Sequence, residues 1–436
     1  MLFRRQSIKK AFPYSFAMNP FERLLVFFHR KPLADLRDRG PLRVMFVITS
    51  MPVGGAETLL VELVRRLDRS RFLPELCCLK DLGPLGERLA LEIPAHHGLL
   101  RRKTDVSVLW RLAGLMRRRI DAVVTVGGGD KMFWGRLAAR LAGMPVIASA
   151  LHSTGWPDSV QFANRLLAPI TDAFIAVAEP HGRYLAAHEG CTAAKIRVVP
   201  NGVDVERFRA RPPSETLRQE FDLAAGAPVV GIVAALRPEK NHSLFLRAAV
   251  RVRRAIPDAR FLIVGDGPQR RELETLAQSL SISDAVRFLG TRNDVPEVLS
   301  LVDVLALCSH MEANPVSILE AMAAEKPVVA TRVGSVDKAV QDGRTGCLVR
   351  PGSEEELAGR LIELLRDRVR AAAFGRAGRQ HVLEHASISR TVAGYEDLLE
   401  GIYRQKTAVR AGKTPSFPIG AATSDGAGLG WKHAAR

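Results

Sequence analysis

The chain has 436 residues, of which 47% are hydrophobic and 25% charged, a composition that supports two globular domains with full cores. Its formal charge of +17 would suit a nucleic-acid-binding protein, but residues 1–40 carry a net +6 and residues 404–436 a net +5. The body between these ends is only mildly basic, so the charge gives no reason to expect nucleic acid as a partner.

The N-terminal extension, residues 1–40, is basic and partly amphipathic. It lacks the apolar core of a signal peptide, and no run in the chain reaches the roughly 18 apolar residues of a membrane span. Four apolar residues recur at helical spacing between arginines: Phe21, Leu24, Leu25 and Phe28. This predicts a short helix lying on an anionic membrane or, as the alternative, packed on the protein's own surface.

The five cysteines include no C-x-x-C pair and fall mainly in apolar, strand-like runs. Buried reduced thiols in a cytosolic protein are therefore expected, and a metal site is not. We predict a cytoplasmic protein, with peripheral attachment to the inner face of the cytoplasmic membrane as the further possibility raised by residues 1–40.

Residues 41–205 alternate between apolar strands and amphipathic helices, which predicts a first α/β domain with a doubly wound sheet. Strands are predicted at 42–50, 75–80, 97–100, 122–126, 146–151, 173–178 and 196–199, and helices at 58–67, 86–91, 106–119 and 132–141. The helix at 106–119 is basic and amphipathic, so it would either pack on the core or bind an anionic bilayer.

Three loops of this domain follow strands and are candidate ligand contacts. Gly54 and Gly55 precede a helix, where a ligand can approach the backbone and meet free N–H groups; the alternative is a tight turn. Gly127–Gly129 resembles a phosphate loop only weakly. His152 would lie at the same sheet edge, where ligands collect in open α/β folds.

Residues 206–227 are rich in Arg and Pro and are predicted to be a linker. A second alternating set over 228–385 predicts a second doubly wound domain, facing the first across a cleft. Residues 386–405 would form a closing helix that crosses back to the first domain. The Gly-, Ala- and Ser-rich residues 406–436 cannot bury enough apolar surface and are predicted to be disordered.

Loops of the second domain carry charges suited to a nucleotide diphosphate. Arg237 and Lys240 follow one strand, and Gly265-Asp266-Gly267 follows the next. The cations would neutralise phosphate, and the glycines would let it approach the backbone.

A third loop, over Ser309–Glu320, places two carboxylates around a helix start at Asn314-Pro315. Glu312 and Glu320 would both face a ligand at that helix N-terminus; the alternative is that they lie on solvated surface. No D-x-D occurs in the chain, so no carboxylate pair for a divalent metal is expected.

The ordered motifs G-G-A-E (54–57), P-N-G-V-D (200–204), R-P-E-K-N (237–241), G-D-G-P (265–268), E-x7-E (312–320) and V-G-S (333–335) resemble those of GT-B glycosyltransferases of family 4, also called glycosyltransferase group 1. The resemblance covers about residues 42–400. It implies a GT-B fold and a retaining, metal-independent transfer of a sugar from a nucleotide diphosphate sugar, without a cofactor, to a lipid-linked or glycan acceptor.

The resemblance also implies roles for individual residues. Glu312 and His152 would contact the donor sugar near the reacting centre, and Glu320 would hold the ribose hydroxyls. Donor phosphates and sugar would be bound by a larger set: Gly54, Gly55, Arg237, Lys240, Gly265, Asp266, Gly267, Asn314 and Val316. The donor would bind mainly to the second domain and the acceptor to the first.

Two positions depart from the family pattern. Ala235 stands where the family usually has a phosphate-binding Arg, and Lys338 stands where an acid is common. Arg237 would have to replace the missing cation, although it lies two residues further along. A non-catalytic GT-B subunit therefore remains an alternative function, whereas an oxidoreductase is disfavoured because no G-x-G-x-x-G follows the first strand.

Overall fold

The computed structural model describes residues 40–102, 105–127, 130–153 and 158–410, and the structural statements that follow refer to these residues. They form two α/β domains, each with one all-parallel sheet. The two predicted doubly wound domains are confirmed.

The first domain has seven strands in the spatial order β3-β2-β1-β4-β5-β6-β7. Every residue of its central strands β4 and β5 is buried, as expected where helices cover both faces of a parallel sheet. The strands are β1 (Leu42–Ile48), β2 (Phe72–Cys78), β3 (Ala95–His96), β4 (Ala122–Val126), β5 (Val146–Ala150), β6 (Ala173–Ala176) and β7 (Ile196–Val198). The helices are α1 (Gly55–Arg66), α2 (Gly83–Leu89), α3 (Val108–Arg119), α4 (Asp130–Leu141), α5 (Asp158–Leu167) and α6 (Glu179–His188).

The short helix α7 (Glu215–Glu220) lies in the segment that the sequence predicts to be a linker. Ser214 caps it by accepting a hydrogen bond from the N–H of Leu217. Leu217 and Phe221 are buried together with Val229 of the second sheet. This part of the segment therefore packs as an element of the second domain.

The second domain has six strands in the order β10-β9-β8-β11-β12-β13. Its strands are β8 (Val229–Val233), β9 (Arg260–Val264), β10 (Val286–Gly290), β11 (Val304–Leu307), β12 (Val328–Thr331) and β13 (Gly346–Val349). Its helices are α8 (His242–Ala255), α9 (Arg270–Ser279), α10 (Val295–Leu301), α11 (Val316–Ala323), α12 (Val336–Ala339), α13 (Glu354–Arg366) and α14 (Arg368–His385).

The final helix, α15 (Ile388–Arg410), packs on the first domain. Tyr395, Leu399 and Tyr403 share a hydrophobic core with β1 and α1, while Arg71 forms ion pairs with Glu396 and Glu400 at 2.7 and 2.9 Å. The helix continues to Arg410, past residue 406 where the sequence predicts the tail to begin.

Several sequence expectations lie outside the described residues. These are the predictions for residues 1–39, for most of the Gly127–Gly129 loop and for residues 411–436. Among the helices that the structure describes, none combines the length and apolar character that crossing a bilayer would require.

Candidate active site

The carboxyl ends of the two sheets face one another across a cleft of about 900 Å³. Ten of the twelve predicted site residues line it: His152, Gly55, Arg237, Lys240, Gly265, Asp266, Glu312, Asn314, Val316 and Glu320. Gly54 does not line it and precedes the first residue of α1. Gly267 packs beneath the cleft, because a Cβ there would meet the carbonyl oxygen of Leu236 at 2.5 Å.

Glu312 of the second domain lines the cleft and is only 8% exposed. Its Oε1 accepts hydrogen bonds from Lys240 Nζ at 2.7 Å and from Ser309 Oγ at 2.6 Å. Gly334 closes over its backbone with φ of +54°, where a Cβ would lie 1.7 Å from the Glu312 carbonyl oxygen. The V-G-S loop therefore fixes the Glu312 backbone, and Lys240 fixes its carboxylate.

Glu320 lies in the second turn of α11 and has a different environment. Desolvation by burial raises the pKa of Glu320 to about 7, and the nearby charge of Arg207 opposes the rise. Arg207 comes from the segment predicted as a linker, so its place beside Glu320 was missed. Its guanidinium donates to the Asn293 carbonyl at 3.2 Å, which holds it at the cleft.

His152 follows β5 and reaches the cleft from the first domain. Burial lowers the pKa of His152 to about 4, and the proximity of His181 adds to the effect, so its ring is neutral at physiological pH. Nδ1 of His152 is enclosed and has no hydrogen-bond partner among the described residues. Because His152 also lines the cleft, its neutral imidazole can donate to, or accept from, a sugar hydroxyl.

Asn314 joins the domains. Its Nδ2 donates to the carbonyl of Val177, and its own carbonyl accepts from Asn201 Nδ2, both at 2.9 Å. The sequence predicts Asn314 as a donor contact through the backbone, but its side chain is used to contact the first domain. Asn201 was not predicted as a site residue, because this contact spans 113 positions of the chain.

The loop that contains Ala235 and Arg237 is the part of the cleft that departs from the motif pattern described above. Ala235 offers no charge, and Arg237 is exposed just before a 3-10 turn over Pro238–Lys240. Glu57 on α1 and Arg237 both line the cleft; burial raises the pKa of Glu57, whereas a backbone hydrogen bond and the charge of Arg237 lower it. Arg237 is thus available at the cleft surface, although it does not occupy the position of residue 235.

Gly265 and Asp266 complete this side. Gly265 has φ of +138°, and a Cβ there would lie 2.1 Å from the Ala234 carbonyl oxygen, so the two loops pack backbone to backbone. Asp266 accepts from the Gly267 N–H at 2.7 Å and from Arg270 at 3.1 Å. The Asp266 carboxylate is therefore paired with protein groups, and Gly265 is needed for the close packing of the two loops.

Arg292 is a further cleft residue that the sequence did not single out. It forms hydrogen bonds with Asp294 at 2.8 and 2.5 Å and with Glu220 at 2.6 Å, and it lies over the ring of Phe221. These partners fix its guanidinium at the end of the cleft where β10 leads into α10. Among the described residues, no cluster of three or more His, Cys, Asp and Glu side chains could hold a metal ion.

Comparisons with known proteins agree with this arrangement. Residues 53–207 match the family model described as Glycosyltransferase Family 4, and residues 213–381 match Glycosyl transferases group 1. The chain is 31% identical over 277 residues to a GDP-mannose-dependent alpha-(1-6)-phosphatidylinositol monomannoside mannosyltransferase of Mycobacterium tuberculosis, covering 60% of this chain and 71% of that one.

A second relative is UDP-Gal:alpha-D-GlcNAc-diphosphoundecaprenol alpha-1,3-galactosyltransferase of Escherichia coli, 27% identical over 73% of this chain and 87% of that one. Among solved structures, Anabaena Alr3699/HepE in complex with UDP and glucose superposes with a TM-score of 0.72 at 22% identity, covering 82% of this chain and 99% of that one. This chain belongs to the family 4 glycosyltransferases of the GT-B fold, and it is a glycosyltransferase.

Proposed function

We propose that this enzyme transfers a hexosyl group, with retention of configuration and without a metal ion, from a nucleotide diphosphate sugar to a lipid-linked or glycan acceptor. The observation that carries the proposal is the cluster of Lys240, Glu312 and Ser309 in the interdomain cleft, where Ser309 and Glu312 precede the helix that carries Glu320. Two relatives are named for lipid-linked acceptors, phosphatidylinositol monomannoside and a diphosphoundecaprenol sugar.

The residues on the two sides of the cleft would have different roles in the transfer reaction. Transfer breaks the bond between the anomeric carbon and the diphosphate oxygen and forms a bond to the oxygen of an acceptor hydroxyl, whose proton would pass to the leaving diphosphate. The leaving diphosphate gains negative charge, which Lys240 and Arg237 would stabilise. Glu312 and His152 would hold the sugar at the reacting carbon from opposite domains, and Glu320 would accept hydrogen bonds from the ribose.

Positive charge for the phosphates can come from the protein itself. Lys240 and Arg237 line the cleft, and α1 and α11 begin at Gly55 and Val316 beside it. Free N–H groups at a helix N-terminus carry partial positive charge and bind phosphate. This supply of cations and N–H groups supports transfer without a divalent metal.

A second candidate is a non-catalytic subunit that binds a nucleotide sugar. The specific observation in its favour is Ala235, which removes the cation that family members usually place at the phosphates. Without a cation at position 235 to stabilise the leaving diphosphate, this candidate predicts donor binding without turnover.

The experiment is a thermal-shift panel of UDP- and GDP-sugars, followed by transfer assays on polyprenyl-diphosphate-linked and phosphoinositide acceptors with and without EDTA. We expect stabilisation by one donor, transfer that survives EDTA, and an α-linked product from an α-linked donor. Glu312→Gln should lower transfer by about 100-fold or more, with a folded protein by circular dichroism.

The matched control is Glu363→Gln, since Glu363 forms ion pairs on α13 outside the cleft. This variant should retain full activity. Donor binding without transfer to any acceptor would establish the second candidate, and full activity in Glu312→Gln would overturn the assignment of the site.

A further inference from the structure

Helix α5 exposes two large apolar side chains and buries an amide. At 100° per residue, Val160, Asn164 and Leu167 share one face and are buried, with Asn164 only 2% exposed. Phe162 and Leu166 share the opposite face and are 68% and 56% exposed. An ordinary surface helix would turn its aromatic and aliphatic side chains inward and its amide outward.

The buried amide holds the helix in this orientation. Asn164 Oδ1 accepts from Arg136 at 2.6 Å, and Asn164 Nδ2 donates to the carbonyl of Glu189 at 2.9 Å. Arg136 is itself 1% exposed and lies over the ring of Phe174. Rotating α5 to bury Phe162 would take Asn164 away from Arg136 and from the Glu189 carbonyl. Losing these buried hydrogen bonds costs free energy, which opposes the rotation.

The exposed face continues across the neighbouring helices. Helix α4 packs against both α3 and α5, so the three form one layer on the first sheet. Trp110 of α3 and Val106 before it are also exposed, at 47% and 62%. The layer therefore exposes apolar and aromatic side chains on both α3 and α5, as surfaces that bind a partner or a membrane do.

The charge of this layer has one sign. Arg101, Arg102, Arg140 and Arg165 are exposed, and Arg165 lies between Phe162 and Leu166 in the chain. Among the described side chains of residues 101–117, 133–141 and 160–170, the single acid is Asp105, which accepts hydrogen bonds from Ser107 and Arg111. A surface that combines exposed aromatic and aliphatic side chains with an excess of arginines is suited to bind an anionic bilayer.

We propose that the outward face of α3, α4 and α5, centred on Phe162 and Leu166, docks on an anionic lipid surface. The inference rests on the proposed function, since a lipid-linked acceptor has to be met at a membrane. Helix α5 begins six residues after His152, which lines the cleft, so docking through Phe162 would hold the first domain at the bilayer.

The test is co-sedimentation of the full chain with vesicles of phosphatidylcholine, alone or with about one-third phosphatidylglycerol. We expect binding to the anionic vesicles that weakens with salt, and a loss of about tenfold or more in the Phe162→Gln, Leu166→Gln double variant. The control is Val369→Gln with Leu383→Gln, two apolar residues of α14 that are 81% and 40% exposed on the other domain. This control should bind like the wild type.

Two outcomes would overturn the docking face. One is equal vesicle binding by the wild type and the Phe162→Gln, Leu166→Gln variant, which would place the contact elsewhere, for example in residues 1–40. The other is a wild-type dimer that the double variant converts to a monomer in sedimentation velocity, which would make a second copy the occupant.

The same variants separate this inference from the proposed function. The double variant should bind the nucleotide sugar normally and transfer to a detergent-solubilised acceptor, while transfer to the acceptor in vesicles falls about tenfold. If the wild type binds vesicles but shows no transfer, the result would support the docking face and contradict only the proposed function.

Discussion

The two carboxylates of the segment 309–320 end in different environments, although they are eight positions apart. Glu312 is paired with Lys240 and Ser309, whereas burial raises the pKa of Glu320 and the charge of Arg207 opposes the rise. The sequence predicted that both would face one ligand. It could not predict their partners, because Lys240 and Arg207 lie 72 and more positions away in the chain and meet the segment only through the fold.

The ionisation of Glu320 predicts a pH dependence of donor binding. Its pKa of about 7 lies above the ordinary value of 4.5, so the carboxylate becomes charged as the pH rises from 6 to 8. A charged carboxylate accepts hydrogen bonds from ribose hydroxyls better than the neutral acid. The affinity for a nucleotide sugar should therefore rise over this range by about fivefold to tenfold, measured by calorimetry.

The control for this prediction is Glu320→Gln, which keeps the shape of the side chain and cannot ionise. Its affinity should be lower and flat with pH. Because the diphosphate of a nucleotide sugar keeps its charge between pH 6 and 8, any slope belongs to the protein. An identical slope in the variant, or an affinity that falls as the pH rises, would contradict the role of Glu320.

Gly334 offers a test of how the Glu312 backbone is held. Gly334→Ala combines a φ of +54° with a Cβ 1.7 Å from the Glu312 carbonyl oxygen, so the loop has to move. We expect a loss in the free energy of unfolding well above the ~1–2 kcal/mol cost of a left-handed alanine, measured by urea denaturation, and a fall in kcat because Glu312 shifts.

Gly343→Ala is the matched control in the same domain. Gly343 has φ of +75°, but a Cβ there has nothing within 4 Å. It should show only the conformational cost, with kcat unchanged. If the two alanine variants lose the same free energy of unfolding and both keep the wild-type kcat, the close packing of Gly334 on Glu312 does not contribute to activity.

At the scale of elements, the strands were predictable and several helices were not. The strands of the first sheet were predicted within a few residues, because buried parallel strands are continuous apolar runs. Helices α5 and α6 were missed, and so was α7 in the predicted linker. In α5 the apolar Phe162 and Leu166 lie on the exposed face, and Asn164 lies on the buried face with Val160 and Leu167, so polarity does not separate the two faces cleanly. In α6, Pro180 and Gly182 weaken the helical pattern.

The same reasoning explains the start of α11 and the segment before α8. The Asn314-Pro315 signal correctly marked a helix start, and the helix begins at Val316. The exposed Arg237 was correctly placed between a strand and a helix, but its distance from the position of Ala235 could not be judged from spacing alone. Capping and turn residues therefore predict where an element begins, whereas side-chain direction at a loop depends on the packed neighbours.

At the scale of the whole molecule, two hydrogen bonds through Asn314 hold the donor loop against the first domain. One partner, Val177, follows β6, and the other, Asn201, follows β7, so both come from the carboxyl edge of the first sheet. His181 accepts from the Val177 N–H at 3.2 Å and thereby fixes the same backbone from the other side. Domain closure and the geometry of the Glu312 loop are therefore linked through one residue.

Asn314→Leu tests this link, because leucine has a similar size and cannot donate to Val177, while the backbone bond from Asn201 remains. Losing one such hydrogen bond costs about 0.5–1.5 kcal/mol, so we expect the KM for the donor to rise by about threefold to tenfold and the radius of gyration from X-ray scattering to increase. Gln380→Leu removes an amide that bonds only to Glu384 within α14 among the described contacts, and it should change neither quantity. A raised KM with an unchanged radius of gyration would mean that Asn314 acts on the donor loop alone, and no change in either would show that closure is held by other contacts of the two domains.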